Sequence, residues 1–314
     1  MAAISVSYEG AKNFFYQLFS RRNVIKEFPR AAGKVAIVTG GNCGIGYETA
    51  RGLIRSGMTV IMGCRSEKAA ESAIQHLKDE QPDARVRYIH LDLSDLSSVR
   101  AFVKSFHQSE NQLNVLVNNA GVMLTPYALT KDGFEQQIGI CHFGHFLLTM
   151  LLLDTLKKSG TKDCHSRIVT VSSTAHSSGS INFEDLQSKK SYSRFGAYAQ
   201  AKVANVLFTY ALQRRLSIDS THVTANALHP GVVNTELFRH LPWIARAPMG
   251  LFFLTPEQGA ATSLYACLSP DLEGVGGKYL ANCEVQSSSA YSYNEDIQER
   301  LWCVSRELTG IGNE

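Results

Sequence analysis

From Gly33 onward the chain alternates short, nearly continuous apolar runs with longer amphipathic stretches, and no other feature constrains its fold as strongly. Residues 34–39 (KVAIVT), 58–63 (MTVIMG), 86–91 (VRYIHL), 113–118 (LNVLVN), 167–172 (RIVTVS) and 223–228 read as strands. They are rich in β-branched residues and lack strict polar alternation, as strands covered on both faces must. Helical spacing fills 44–56, 68–80, 97–107, 134–157 and 197–216. Strand–helix alternation builds βαβ units, so the expected class is α/β: a doubly wound parallel sheet with helices on both faces. A length of 314 residues would allow two domains. No Pro/Gly/Ser-rich linker and no internal repeat divides the chain, so one domain over 33–314 is expected, preceded by an extension over 1–32.

Charge and cysteine content narrow the function classes. A formal net charge of +3, with no basic run longer than Arg21-Arg22 or Lys189-Lys190, argues against nucleic acid as a partner. The 7 cysteines are scattered without a Cys-x-x-Cys pair, and no Asn-x-Ser/Thr acceptor occurs, which points to a reducing, cytosol-facing location and to no bound metal. No run approaches the roughly 18 apolar residues that span a bilayer. Ala11, Phe14, Phe15, Leu18 and Phe19 fall at helical spacing ahead of Arg21 and Arg22. Such a segment either lies on a membrane surface or packs on its own domain.

The first strand runs directly into Thr39-Gly40-Gly41-Asn42-Cys43-Gly44-Ile45-Gly46, where a helix opens. Glycine lets the backbone turn tightly and approach a pyrophosphate, and the helix N-terminus offers free N–H groups to the anion. Gly40, Asn42, Cys43, Gly44, Ile45 and Gly46 are therefore candidate cofactor contacts, on a Rossmann-type fold. Neither Gly33-Lys34 nor Gly277-Lys278 is followed by Ser or Thr, so a nucleoside-triphosphate loop is absent and the ligand is a dinucleotide. The second strand ends in Cys64-Arg65-Ser66, with no acid at the tip to hold an unmodified ribose. Arg65 can pair with a 2′-phosphate instead, so NADP(H) is preferred and NAD(H) is the alternative.

Tyr198 and Lys202 lie one turn apart on one face of an expected helix. A free phenol, with a pKa of about 10, is a poor proton-transfer group at neutral pH, and a neighbouring ammonium draws it toward the working range. Ser172 and Ser173 end the preceding strand, at the carboxyl edge where open α/β sheets bind ligands.

Taken together, Thr39-Gly40-x-x-x-Gly44-x-Gly46, Asn118-Asn119-Ala120-Gly121, the serine pair, Tyr198-x-x-x-Lys202 and His229-Pro230-Gly231 with Thr235 beyond it resemble the short-chain dehydrogenase/reductases. His145-Phe146-Leu147-Leu148-Thr149 and the tail Arg300-Leu301-Trp302 resemble the retinol dehydrogenase-like branch. Residues 197–200, 223–226 and 272–277 resemble a part of it linked to polyprenol and dolichol metabolism. The resemblance implies that Tyr198 exchanges a proton with the substrate oxygen and that Lys202 tunes Tyr198 and holds the nicotinamide ribose. It implies that Ser173, the second of the pair, orients the substrate. Asp92 and Leu93 would meet the adenine, Asn119, Ala120 and Gly121 would line the cofactor, and Val233 and Thr235 would meet the carboxamide. Family members commonly form homodimers through the helices expected at 134–157 and 197–216.

One position departs from the pattern. Similar sequences carry Asn where this chain has Cys141, and that Asn helps hold a water linking the lysine to solvent. A thiol is a weak donor and a weak acceptor, so a catalytically impaired NADP-binding protein is the competing expectation. His142 and His145, spaced i, i+3 without a nearby acid, are expected to be packing residues. The segment 236–254, a substrate lid by the resemblance, carries 10 large apolar residues and suits a lipophilic alcohol, aldehyde or ketone, retinoid- or polyprenoid-like, or contact with a bilayer. The expected location is the cytoplasmic side, at the endoplasmic reticulum membrane where these apolar segments meet lipid.

Overall fold

The computed structural model describes residues 29–233 and 253–312. Thr235 and nearly all of the expected amphipathic extension and lid lie outside the described residues.

The six expected strands form as β1 (Val35–Thr39), β2 (Thr59–Cys64), β3 (Val86–His90), β4 (Val115–Asn118), β5 (Ser166–Val171) and β6 (Val223–His229). All are parallel, and their order is 3-2-1-4-5-6. Two short strands that carry too few residues to show a period continue the sheet: β7 (Tyr279–Ala281) pairs parallel to β6, and β8 (Glu284–Gln286) turns back antiparallel. Asn282 and Cys283 join them with φ of 54° and 60°, the left-handed backbone of a tight two-residue hairpin.

Helices cover both faces. α1 (Gly44–Arg55), α2 (Glu67–Glu80), α3 (Leu96–His107), α4 (Gln136–Ser159) and α5 (Arg194–Ile218) are the five expected ones. α6 (Pro256–Leu268) and α7 (Glu295–Thr309) were not foreseen. Most starts carry a side-chain cap: Ser66 for α2, Asp95 for α3, Ser193 for α5, Asn294 for α7 and a Thr255/Gln258 capping box for α6. On one face Leu53 of α1 and Leu264 of α6 pack on Val38, Val60 and Val117. On the other, Phe102, Phe106, Phe146, Leu148 and Phe208 from α3, α4 and α5 cover Ile37, Ile61, Leu116 and Ile168. The chain reverses direction between β1 and β4, and the crevice beyond the carboxyl ends of those strands is where a doubly wound sheet binds ligands.

α4 runs for 24 residues and holds an 18-residue window apolar enough to cross a membrane, yet 78% of that window is buried inside the domain. Its first part is not regular: Gly139–Phe143 form a π turn, in which the Gly144 N–H donates to the Gly139 carbonyl five residues back.

Candidate active site

The glycine turn lies at the carboxyl end of β1. Gly40 has φ of +65°, and a Cβ there would press on Ala120 at 3.2 Å. Gly46 is closed in more tightly, since a Cβ would overlap the Gly40 carbonyl and the Asn119 side-chain nitrogen. The N-cap of α1, Cys43, makes no side-chain cap hydrogen bond, so the first turn of α1 lacks the side-chain acceptor that starts the other long helices. A glycine-rich turn running into such a helix end fits a dinucleotide pyrophosphate.

Thr39 organises this floor. Its Oγ accepts from the Asn119 and Ala120 N–H groups, each at 2.9 Å, while the Asn119 amide donates to the Thr39 carbonyl at 2.8 Å. The same Oγ lies 2.8 Å from His145 Nε2, and His145 Nδ1 lies 3.1 Å from the Cys141 carbonyl. A carbonyl can only accept, so Nδ1 carries the proton and Thr39 donates to Nε2. Burial holds His145 neutral, its pKa pushed down to about 4. His145 thus ties the π turn of α4 to the glycine turn, a link across the site that sequence reading missed. The i, i+4 spacing from Cys141 was its one visible trace. His142 packs among Phe143, Phe146 and Phe208 and bonds Ser305 at 2.8 Å, as a packing residue would.

Arg65 is exposed at the tip of β2, and among the described residues no carboxylate pairs with it. The preceding Cys64 accepts backbone hydrogen bonds from Gly41 and Asn42, so Arg65 emerges beside the glycine turn. Asp92 follows β3 with its Oδ1 held by the Ser94 N–H at 2.9 Å and hydroxyl at 2.6 Å. Leu93 next to it is buried against Gly144. On the far side of the crevice, buried Val233 bridges to Leu254 and packs on Gly259, which also meets Ile45.

α5 carries Tyr198 and Lys202 past the end of β5. Lys202 Nζ donates to the Val171 carbonyl at 3.1 Å and sits 5.7 Å from the centre of the Tyr198 ring. Asn205 donates to the same carbonyl at 3.1 Å, and Ser172 Oγ closes the joint by donating to the Lys202 carbonyl at 2.7 Å. Ser172 is thereby occupied with backbone, whereas the Ser173 side chain lies close enough to Tyr198 to favour its phenolate form. Burial pushes the Tyr198 phenol above its ordinary value, while the Lys202 ammonium and the Ser173 side chain pull it back down. Cys141 is buried beneath this group with its Sγ 3.7 Å from the Val122 carbonyl. A Cβ on Gly121 would lie 3.3 Å from Cys141 Sγ and 3.7 Å from Lys202 Nζ, so the three share one wall. The arrangement is a buried phenol beside a hydroxyl and an ammonium, at the same edge of the sheet as the glycine turn.

A family model described as short chain dehydrogenase matches residues 34–242. The chain belongs to the short-chain dehydrogenase/reductase family. Human polyprenol dehydrogenase is 46% identical over 317 residues, covering 99% of this chain and 96% of the relative. Human retinol dehydrogenase 12 is 46% identical, covering 96% and 92%. Among solved structures, an uncharacterized protein from Mycobacterium paratuberculosis superposes with a TM-score of 0.74 at 36% identity, covering 90% of this chain and 96% of that one. This short-chain dehydrogenase/reductase is thus an oxidoreductase of CH–OH groups.

Proposed function

We propose that the protein is an NADP(H)-dependent oxidoreductase that interconverts a lipophilic alcohol, retinoid- or polyprenoid-like, with its aldehyde or ketone, and that Tyr198 is its general acid/base. The observation that carries this reading is the meeting of Ser173, Tyr198 and Lys202 at the carboxyl edge of the sheet, the edge that also carries the glycine turn. The dinucleotide, when bound, supplies or takes up the hydride. Gly40, Asn42, Cys43, Gly44, Ile45 and Gly46 would hold its pyrophosphate and Arg65 its 2′-phosphate. Asp92 and Leu93 would meet the adenine, Asn119, Ala120 and Gly121 the body of the cofactor, and Val233 and Thr235 the carboxamide. Ser173 orients the substrate oxygen. Tyr198, held in its protonated form by burial, donates to that oxygen in reduction and recovers the proton in oxidation. Lys202 steadies the phenolate form and, through the Val171 carbonyl, keeps its own ammonium in register.

The lipophilic substrate is supported by the names of the two human relatives and by the apolar segment 236–254. The same segment and the amphipathic residues of 1–32 support work on the cytoplasmic face of a membrane such as the endoplasmic reticulum. Cys141 favours a second reading, a dinucleotide-binding protein with weak turnover, since a buried thiol replaces an amide in the wall next to Lys202.

Tyr198→Phe is expected to lower turnover of long-chain isoprenoid aldehydes by about 10²–10⁴-fold while NADPH binds as before. Unchanged turnover would remove Tyr198 from the chemistry. Arg65→Ala is expected to weaken NADPH about 10- to 100-fold, the worth of a charge-assisted hydrogen bond, and to leave NADH within about twofold. Equal losses for the two cofactors, read by fluorescence titration, would end the 2′-phosphate assignment.

A further inference from the structure

His176 lies three residues beyond Ser173, in the 3₁₀ turn Thr174–Ser178 that follows β5, and is 3% exposed. Its two ring nitrogens meet backbone groups of opposite kind. Nδ1 lies 2.6 Å from the Ser173 carbonyl, and Nε2 lies 3.0 Å from the Ser289 N–H. A carbonyl only accepts and an N–H only donates, so a single form of the ring satisfies both: neutral, with the proton on Nδ1. An imidazolium would set its Nε2–H against the Ser289 N–H. Tyr279 of β7 clamps the ring from the side, its hydroxyl 3.3 Å from Nδ1 and the ring centroids 4.7 Å apart. The Ser173 carbonyl also receives the His176 backbone N–H at 3.0 Å, and Ser173 Oγ accepts from the Ala175 N–H at 3.2 Å. Ser173, the candidate serine beside Tyr198, is therefore pinned on both its backbone and its side chain, and the backbone pin is a histidine braced on the C-terminal segment.

We infer that His176 is a positioning residue: locked in its Nδ1–H form between Ser173 and Ser289, it fixes the Ser173 hydroxyl against Tyr198. This rests on the proposed roles of Ser173 and Tyr198. His176 does not touch the reacting atoms and has no proton to pass, because both of its nitrogens are committed to backbone.

Two amide replacements separate the two halves of the strut. His176→Asn can set an N–H donor where Nδ1 was, keeping the bond to Ser173 and giving up Ser289. His176→Gln can set an acceptor where Nε2 was, keeping Ser289 and giving up Ser173. With retinal and NADPH, His176→Gln is expected to lose about tenfold or more in kcat with KM and NADPH affinity within about twofold, while His176→Asn keeps at least about half of wild-type kcat. Equal activity of the two variants, or a loss in Asn greater than in Gln, would overturn the inference. A reading independent of turnover is the side-chain ¹⁵N spectrum of labelled wild-type protein, assigned against His176→Asn. It should show His176 neutral with the proton on Nδ1, and a proton on Nε2 would refute the strut. Wild type inert toward every alcohol and aldehyde, but with this tautomer, would sink the functional reading and leave the strut standing.

Discussion

Cys141 shows how one side chain can alter a site without altering its frame. The thiol is fully buried on the π turn, and burial, outweighing the nearby Lys202 ammonium, raises its pKa, so it stays a neutral thiol and supplies no charge. The position of the turn comes from elsewhere, since His145 holds the Cys141 carbonyl and Thr39 holds His145. Lys202 likewise takes its place from the Val171 carbonyl and not from residue 141. On this basis Cys141→Asn is expected to change kcat by no more than about threefold, below the effect of a general acid/base group. A gain beyond about tenfold in steady-state reduction would favour the weak-turnover reading.

At the scale of elements, the glycine turn and the end of β4 form one unit. Gly46 sits so close to the Gly40 carbonyl and the Asn119 amide that any side chain there must part α1 from β4. Gly46→Ala is expected to destabilise the fold by about 1–3 kcal/mol, as overpacking does, and to abolish dinucleotide binding. Thermal melting with and without NADPH checks both, since a variant that NADPH still stabilises would refute the second part. The glycine spacing and the strand before it made this unit legible in the sequence, because a tight turn imposes its residue types locally. The π turn was not legible. It coincides with His145 taking the Cys141 carbonyl while the same ring meets Thr39 of β1, and that second contact lies in no local window.

For the molecule as a whole, α7 acts as a clasp. It packs across α5 and α4, where Trp302 stacks on Phe208 at 5.9 Å, meets Phe146 edge-on at 5.3 Å and lies under the Arg215 guanidinium at 4.0 Å. Glu299 adds ion pairs to Arg214 at 2.7 Å and Arg215 at 2.5 Å, which hold its carboxyl below the ordinary range. These pairs are half-exposed and contribute little next to the tryptophan. Trp302→Ala is expected to cost about 3–5 kcal/mol, the usual loss for a large buried aromatic. Calorimetry should then show Tm lower by roughly 6–10 °C, and a drop below about 2 °C would mean the clasp is not part of the cooperative unit. The helices it covers are those expected to pair copies of the chain, so α7 occupies part of that surface.

Order along the chain determined the class of fold, the six inner strands and the candidates Tyr198, Lys202, Ser173 and the glycine turn. All but Ser173, which the family resemblance singled out from the serine pair, follow from a period or a spacing that backbone geometry enforces within a few residues. Tertiary structure alone decided what holds them: Thr39 and His145 across the floor, His176 braced on Ser289, and Trp302 under Arg215. In every such pair the partners lie far apart in sequence and meet only because the sheet brings its carboxyl edge, its crossover helices and its C-terminal segment together. A hydrogen bond or ring contact of that kind leaves no period behind, so its residues look like any other buried polar or aromatic side chain until the fold is known.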